Sequence, residues 1–407
     1  MGLIDNIKFY SKQITLTSEK AKLLSTFFEK GFPTIKDEEW KYTSLKKITA
    51  DNFSIEQNGS TFNERGIENY SLGFKNKIIF INGKLVFYPT VSGLNITDFS
   101  DFKSEEVDSI SQLNSSLAKK GFTIKVEKDT VVENPIEILF FINSKNDNFV
   151  QYRNKIVVGD NAQVKFIERI QNLSDAKCFV NHFTQITIGK NSSVEYNKIQ
   201  DNTKNSILLD AVNISQKSDS VCNVNTLIFG GSFTRNTLNF EQNGSNCDSN
   251  MNGISILDKN QFADNHTFVD HKQANCRSNE MYKGIYLGNA KGVFNGKIMV
   301  RPDAQKIDAF QTNNNLLLSE NATIDSKPQL EIYADDVKCS HGCTIGQLDD
   351  DALFYMRSRG IAKREAKAVL TYTFASEAVN NFTISEVKQL AQKRIAEKLD
   401  VDLDFNL

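Results

Sequence analysis

The sequence predicts a mainly β fold whose core is a β-helix or a similar solenoid, with helical regions at both ends. From Phe122 onward, more than two hundred residues consist of short runs rich in Val, Ile, Phe and Thr, interrupted by Gly and Asn. One pattern repeats: IVVGDNAQV begins at Ile156 and ITIGKNSSV begins at Ile186, which places Gly159 and Gly189 30 residues apart. Repetition at this period is typical of stacked units that each bury an inner face against the next.

A β-sandwich or jelly roll is the alternative fold for the same region. Alternating strands fit either architecture, but only the solenoid requires the repeated Gly-x-Asn register. A fainter third copy of the pattern, LLLSENATI, begins at Leu316. We therefore predict the solenoid and assign residues 122–347 to it.

Residues 1–121 are predicted to form a mixed, partly helical N-terminal region. The segment from Leu16 to Phe32 places apolar residues on one helical face, with a capping Thr or Ser at its start and Gly31 at its end. Farther along, Asn82-Gly83 separates two β-rich runs. This dipeptide between such runs predicts a tight hairpin.

Residues 348–407 are predicted to form a small helical domain. Acidic residues from Asp349 begin the first amphipathic segment, and Gly360 separates it from the second. Thr383 or Ser385 could cap the last helix. Two or three short helices bury little apolar surface alone, so we expect them to pack on the solenoid or on a partner protein.

Composition and motifs exclude several classes of function. The formal net charge is −2, from 48 Lys and Arg against 50 Asp and Glu, so no basic surface for nucleic acid is expected. The strongest apolar run, from Pro135 to Ile142, is far too short to span a bilayer, and the N-terminus lacks a secretory signal pattern. We therefore expect a cytoplasmic protein without membrane contact. No G-x-S-x-G, Walker loop or H-E-x-x-H motif occurs, so no catalytic residues are predicted.

One short segment carries candidate metal ligands, Cys339-x-His341-x-Cys343. Side chains two residues apart on a β-strand point to the same face, so both thiols and the imidazole would lie together. Iron and copper(I) bind such donors. The alternative is that these residues are small buried side chains lining the interior of the solenoid. The other four cysteines have no ligand spacing and are interpreted as buried structural residues: Cys178, Cys222, Cys247 and Cys276.

Three segments of the chain carry a family signature. The most specific is KPQLEIYADDVKCSHGCTIGQLDDDALFYMRSRGI, from Lys327 to Ile361. Upstream stands VDHKQANCRSNEMYKGIYLGNAKGVFNGKIMV, from Val269, and near the N-terminus DEEWKYTSL, from Asp37. Together these segments resemble the SufB/SufD family of the SUF iron–sulfur cluster assembly machinery. The ADDVKCSHG portion resembles the SufD branch more than the SufB branch.

The resemblance implies a right-handed parallel β-helix between an N-terminal helical region and a C-terminal helical domain. It also implies no catalytic activity. In this family, SufD pairs with SufB through the β-helix, and the SufC ATPase docks on the C-terminal helices. No nucleotide site is then expected on this chain. An isolated chain could pair with a second copy of itself. An iron–sulfur cluster or iron, transient and shared with SufB, is implied at the SufB–SufD interface.

The resemblance also assigns roles to residues. Cys339 and His341 match the family's CSH motif, and His341 is the implied interface ligand, working with a thiolate from SufB. Cys343 departs from the family pattern, in which a small residue that is not a ligand is common, so it either adds a ligand or fills space. Candidate contacts with SufC lie on the helices that follow: Leu353, Phe354, Tyr355, Arg357 and Arg359.

Two functions of other classes stay open. A cytosolic β-helix could be an interaction platform whose thiol-bearing strand never binds metal. Less favoured is a polysaccharide-acting enzyme, because β-helices host lyases and hydrolases and a fold does not fix function. Such an enzyme would require an export signal and a cleft of carboxylates or Arg, and the N-terminus shows no signal pattern.

Overall fold

The computed structural model describes residues 2–55, 64–99, 101–103 and 108–400, and only the backbone at 64–66. Strands occupy the centre of the chain and helices its ends. The α-helices are α1 Leu3–Ser11, α2 Ser18–Lys30, α3 Lys46–Ala50, α4 Ser109–Leu117, α5 Asp350–Ser358, α6 Lys363–Val379 and α7 Ser385–Leu399, with short 3₁₀ helices at Glu38–Trp40 and Glu64–Asn69. The strands are β1 Asn76–Ile81, β2 Lys84–Phe87, β3 Leu94–Asp98, β4 Phe122–Val126, β5 Ile136–Ile142, β6 Asn148–Val158, β7 Gln163–Asn172, β8 Cys178–Ile188, β9 Ser193–Gln200, β10 Ser206–Gln216, β11 Val221–Ile228, β12 Phe233–Gln242, β13 Asp248–Leu257, β14 Phe262–His271, β15 Arg277–Tyr286, β16 Lys291–Val300, β17 Ile307–Leu317, β18 Thr323–Ile332 and β19 Val337–Gly346.

The strands form two sheets of a parallel solenoid. From β4 onward, successive strands alternate between the sheets, so each turn of the chain, called a rung here, adds one strand to each sheet. The first sheet has ten strands in the order β2-β1-β5-β7-β9-β11-β13-β15-β17-β19, and the second has nine in the order β3-β4-β6-β8-β10-β12-β14-β16-β18. Only the β1–β2 and β3–β4 pairs are antiparallel. The predicted solenoid is confirmed, with about eight turns, and the sandwich alternative is wrong.

Stacking of equivalent turns explains the 30-residue repeat. Gly189 lies directly over Gly159, so that a Cβ on Gly189 would stand 2.5 Å from the carbonyl carbon of Gly159. Beside them, Asn191 Nδ2 donates a hydrogen bond of 3.0 Å to Asn161 Oδ1. The fainter copy at Leu316 lies at the opposite turn, between β17 and β18, and therefore does not belong to this stack.

The interior of the solenoid changes from apolar to polar along its axis. The first rungs bury stacked aromatic rings, such as Phe80 and Phe140 with centroids 4.7 Å apart. Farther along, the inner face buries charged and amide side chains, among them Lys198, Asp210 and Glu280. Because buried polar groups require hydrogen-bond partners, this part of the core is held by specific side-chain pairs.

The N-terminal region covers the outer face of the second sheet. Its helices share an apolar cluster with Phe149 and Phe179 of the solenoid. The predicted helix near Thr17 is confirmed as α2, and Thr17 Oγ1 accepts a hydrogen bond of 3.3 Å from the backbone N–H of Lys20. The predicted hairpin is also confirmed, because Asn82 turns β1 into β2 at a φ of 50°.

The only tryptophan fastens the N-terminal region to this sheet. The guanidinium of Arg235 stands 3.9 Å from the centroid of the Trp40 ring. Arg235 is buried and paired with Asp264, which also accepts a hydrogen bond of 2.5 Å from Thr43 Oγ1. The DEEWKYTSL segment is therefore an anchor on the solenoid wall.

The C-terminal helices cover the outer face of the first sheet. Val379 and Phe382 share an apolar cluster with Ile254 and Ile285 of the solenoid. Asp349 is the N-cap residue of α5, as predicted. Its carboxylate accepts hydrogen bonds from the backbone N–H groups of Asp351 and Ala352. Within the part of the chain that the structure describes, no helix combines the length and apolar character needed to cross a membrane.

Candidate metal-binding site at the open end of the solenoid

The candidate ligands share the inner face of the terminal strand of the first sheet. In β19, His341 pairs with Gln311 of β17, and the flanking cysteines pair with Ala309 and Asn313. These three β17 residues are buried and point into the solenoid. The side chains of Cys339, His341 and Cys343 therefore point toward the solenoid axis, on one face, as their spacing predicts.

No described strand follows β19, so this inner face is open at the end of the solenoid. We call this end, lined by the inward side chains of β18 and β19, the mouth. His341 and Cys343 are exposed there, and Cys339 is half-buried. The interpretation of these residues as sealed interior side chains is therefore wrong for His341 and Cys343.

The two cysteines of the mouth have different surroundings. Cys343 Sγ donates a hydrogen bond of 3.1 Å to Ser326 Oγ on β18, and Ser326 in turn donates one of 2.8 Å to Asn313 Oδ1. Cys339 packs beside Leu330 in an apolar cluster. Burial, followed by the nearby Asp308 carboxylate, raises the pKa of Cys339. Its thiol therefore stays protonated at neutral pH.

Backbone groups at the mouth are also free to pair. Among the described residues, β18 and β19 are the last strands of their sheets, so each has a neighbouring strand on one side only. Each strand is ten residues long. An edge strand exposes a row of N–H and C=O groups that a strand from another chain can satisfy.

A buried polar column continues inward from His341. Gln311 lies one rung deeper, and Glu280 lies one rung beyond Gln311. Both are fully buried. Burial raises the pKa of Glu280 to about 7, so this carboxyl titrates near neutral pH.

Elsewhere among the described residues, one cluster has donors close enough to share a cation. The donor atoms of Glu168, His182 and Asp210 lie within 4.8 Å of one another inside the solenoid. His182 Nε2 stands 3.1 Å from Glu168 Oε2, and Lys198 Nζ stands 2.9 Å from Asp210 Oδ2. Burial lowers the pKa of His182, but the Glu168 carboxylate outweighs this and the net shift is upward. Lys198 already pairs with Asp210, and His182 with Glu168, so the cluster does not require a metal ion.

The candidate contact residues of α5 lie mostly in solvent. Phe354 and Tyr355 expose 73% and 57% of their surface, whereas Leu353 is buried. Arg359 Nη2 donates a hydrogen bond of 2.9 Å to Tyr355 Oη, and Arg357 is exposed. Large exposed aromatic rings on a short helix mark a surface available to another protein.

Sequence reasoning did not find the buried charges of the solenoid. Glu168 and Lys198 are adjacent in the first sheet and 30 residues apart in the chain. The repeat period was therefore a usable signal, because polar residues one period apart stack on neighbouring rungs. No spacing signal pairs Glu168 with His182, which lies on the opposite sheet.

Comparisons with known proteins agree with the resemblance. The family model described as SUF system FeS cluster assembly, SufBD core domain, matches residues 140–374. The chain is 30% identical to the iron–sulfur cluster assembly protein SufD of Escherichia coli over 92% of this chain and 91% of that protein. It is 28% identical to a SufBD family cluster assembly protein of Synechocystis, over 88% and 85%, and 26% identical to SufD of Bacillus subtilis, over 71% and 67%. The chain therefore belongs to the SufBD family of iron–sulfur cluster assembly proteins of the SUF system.

Proposed function

We propose that this chain is a non-enzymatic, cytoplasmic scaffold subunit for iron–sulfur cluster assembly. Its solenoid pairs with a SufB-type subunit, and its C-terminal helices dock a SufC-type ATPase. Iron or a nascent cluster is held transiently between the two solenoids. The observation that supports this most directly is the placement of His341 between two thiols at the open end of the solenoid.

The spacing of the three donors argues for a site completed by the partner. Same-face residues on a strand are about 7 Å apart, so Cys339 and Cys343 are separated by about 13 Å along β19. Metal–ligand bonds are only about 2.0 to 2.3 Å long. A single ion can therefore bind His341 and one neighbouring thiol, but not all three. Because iron and iron–sulfur clusters take more ligands than two, we assign the remaining donors to the partner subunit.

The choice between the two thiols follows from their contacts. Cys343 is exposed and its hydrogen bond to Ser326 is easily exchanged for a metal bond. Cys339 is half-buried with a raised pKa, so a thiolate forms there at greater cost. His341 with Cys343 is the pair more available to an incoming ion, and Cys339 then contributes only when a metal stabilises its thiolate.

The docking of an ATPase is assigned to α5. Helices α6 and α7 pack against the solenoid, as the buried Val379 of α6 and Val387 of α7 indicate. Helix α5 instead presents Phe354 and Tyr355 to solvent, flanked by Arg357 and Arg359. Aromatic and Arg side chains are the residue types that contribute most to binding energy at protein interfaces.

Co-expression with SufB-type and SufC-type subunits tests the ligand assignment. We expect one complex from the wild type and from His341→Ala, but less iron and acid-labile sulfide in the variant. Ser340→Ala is the matched control, because Ser340 is exposed on the same strand with its side chain on the opposite face. Equal iron and sulfide in all three complexes would show that His341 is not a ligand and would favour a metal-free interaction platform.

A pull-down with the ATPase tests the docking surface. Phe354→Ala and Tyr355→Ala should reduce ATPase binding at least tenfold, which corresponds to about 1.4 kcal/mol each. Both side chains are exposed, so the melting temperature should stay unchanged. Phe9→Ala, which truncates another exposed ring on α1, should bind the ATPase normally. Undiminished binding by the α5 variants would move the docking site elsewhere.

A further inference from the structure

Two buried cysteines lie side by side on neighbouring rungs, apart from the mouth. Cys247 and Cys276 precede β13 and β15, which are adjacent in the first sheet. The backbone N–H of Arg277 donates to the carbonyl oxygen of Cys247 at 2.8 Å, which fixes the two cysteines as register neighbours. They are 29 residues apart in the chain, close to one repeat of the solenoid.

The two thiols share a backbone acceptor. Cys247 Sγ lies 3.1 Å and Cys276 Sγ lies 3.3 Å from the carbonyl oxygen of Gly244, which places the two sulfurs side by side. A Cβ on Gly244 would stand 2.0 Å from the backbone nitrogen of Ser218. The turn is therefore packed tightly on the preceding rung, and it keeps the thiols together.

We propose that Cys247 and Cys276 form a reversible disulfide between adjacent rungs when the protein meets a peroxide. This site is independent of the proposed function of the mouth. The other buried cysteines have no such neighbour, since Cys222 is paired in register with Ser249, and Cys178 with Ser206. The stacked pair is thus the only cross-rung thiol pair among the described residues.

The spacing of the strands allows the disulfide to form. Neighbouring strands are about 4.8 Å apart, which lies within the range of about 4.4 to 6.8 Å between the two Cα atoms of a disulfide. The bond can therefore form between the rungs without unfolding them. A thiolate such as that of glutathione reopens a disulfide by exchange.

The oxidation proceeds in two balanced steps. The Cys247 sulfur attacks one peroxide oxygen, the O–O bond breaks, and the leaving hydroxide takes up the thiol proton as water, which leaves a sulfenic acid. The Cys276 sulfur then attacks the sulfenic sulfur, the S–O bond breaks, and the hydroxyl leaves with the Cys276 proton as a second water. The two thiols lose two electrons, and the peroxide gains them.

The contacts of the two sulfurs assign their roles. The adjacent Cys276 thiol lowers the pKa of Cys247 to about 7 against the opposing effect of burial, and Ser220, whose Oγ donates to Cys247 Sγ, adds to the lowering. The adjacent Cys247 thiol and burial raise the pKa of Cys276. Cys247 is therefore the thiol that reacts with peroxide, and Cys276 is the resolving thiol.

Access to the pair is limited to small oxidants. Cys247 and Cys276 are 1% and 0% exposed, but only one turn, containing the exposed Asn243 and Asn246, separates them from solvent. Hydrogen peroxide, which is close to water in size, can enter when this turn opens locally. Bulkier alkylating reagents are expected to leave both thiols unmodified in the folded chain.

Peptide mapping of the oxidised full-length chain tests the proposal. The reduced protein is treated with hydrogen peroxide, free thiols are blocked with N-ethylmaleimide after unfolding, and the chain is cleaved with trypsin. Cys247 then lies in peptide 236–259 and Cys276 in peptide 273–277, each with a single cysteine. We expect these two peptides linked, with the mass of two hydrogens lost, and the link broken by excess glutathione. Peptide 218–235, which carries Cys222, should stay reduced and serves as the internal control.

Two results would overturn the inference. The first is the absence of linked peptides at a peroxide dose that oxidises the exposed Cys343 in peptide 339–357. The second is oxidation of Cys247 to a sulfinic acid without any link. Cys276→Ser supplies a separate readout, because it should abolish the link and let a sulfenic acid accumulate on Cys247, detectable with dimedone. If Cys276→Ser does not fold, the peptide mapping of the wild-type protein still tests the proposal.

Discussion

Gln311 Nε2 donates a hydrogen bond of 2.5 Å to Glu280 Oε2 in the column of residues that leads inward from His341. Both side chains are fully buried, and neither Glu280 Oε1 nor Gln311 Oε1 has a hydrogen-bond partner within the part of the chain that the structure describes. The nearby Thr267 hydroxyl and the Gln311 amide lower the pKa of Glu280, but they compensate the buried carboxylate only in part for the loss of water. Burial accordingly raises the pKa of Glu280 to about 7.

Glu280 should make the protein less stable as the pH rises. Its pKa in the folded chain, about 7, exceeds the ordinary value of 4.5, so unfolding releases a proton between these two values. Stability therefore falls by about 3 kcal/mol across this window. Glu280→Gln cannot ionise and should lack this part of the fall. We expect the variant to gain stability relative to the wild type at pH 8 but not at pH 5, measured by urea unfolding. If the difference in stability between the variant and the wild type is the same at pH 5 and pH 8, Glu280 does not titrate in this range.

The buried pair of His182 with Glu168 should also lose its stabilising effect as the pH rises. Its pKa is raised in the folded chain, so the Glu168–His182 pair stabilises fully below the ordinary value of 6.5 and is lost as the pH rises through the raised value. Removing one partner of a buried pair costs about 3 to 5 kcal/mol. His182→Gln should thus lower the melting temperature most at pH 6 and progressively less at alkaline pH. His266→Gln is the comparison. His266 is buried too, but its partner Glu39 is exposed, so this change leaves no buried charge unpaired and should cost less than His182→Gln. An equal loss in both variants would refute the role assigned to the buried partner.

Local signals in the sequence predicted most of the architecture. Asn82-Gly83 specified its hairpin through backbone conformations that Asn and Gly accept, and Thr17 specified the start of α2 through its own side chain. The 30-residue period specified the stacking of rungs because Gly159 and Gly189 are in contact. In each case the interaction joins residues that are close in the chain or one repeat apart.

Features that depend on distant residues were not predicted. Thr383 and Ser385 were expected to cap α7, but the N-cap residue is Ile384, and Thr383 Oγ1 instead accepts a hydrogen bond of 2.7 Å from Lys165 on the solenoid. Likewise, the spacing from Cys339 to Cys343 predicted that the three side chains share one face. Whether that face points inward, and whether it is exposed, depends on which strand is the last rung of the solenoid, and the spacing does not contain this information. In such places, contacts with residues distant in the chain override the local preference, and local sequence patterns carry no information about those contacts.

Asp201 should be the residue that most strongly fastens the C-terminal helices. It is buried between Arg169 Nη2 and Arg394 Nη2, the latter on α7 at 2.8 Å. Burial alone would raise the pKa of Asp201. Arg169 and then Arg394 lower the pKa by more than burial raises it, so the carboxylate stays charged. Asp201→Ala leaves Arg169 buried without a counter-ion and should cost about 3 to 5 kcal/mol. Arg394→Ala keeps the inner pair and should cost less.

Hydrogen exchange and thermal melting distinguish the two variants of this ion pair. Both should increase amide exchange across α7, because each removes the link between that helix and the solenoid. Only Asp201→Ala should also lower the melting temperature of the solenoid. Lys103→Ala, which removes an exposed pair with Glu19 in the N-terminal region, is the control and should change neither. Unaltered exchange in α7 after Arg394→Ala would mean that apolar packing alone holds the helix.

Gly189 should be the most substitution-sensitive position of the repeated turn. A Cβ there would stand 2.5 Å from the carbonyl carbon of Gly159 and 2.6 Å from the backbone nitrogen of Asp160. Since both neighbours are backbone atoms of the stacked rung, neither can move without separating the rungs. Gly189→Ala should therefore lower the free energy of unfolding by about 1 to 3 kcal/mol. Gly346→Ala, which meets no atom within 4 Å, should melt like the wild type. Equal melting temperatures for both variants would show that the turns do not carry the stacking, and the repeat would then need another explanation.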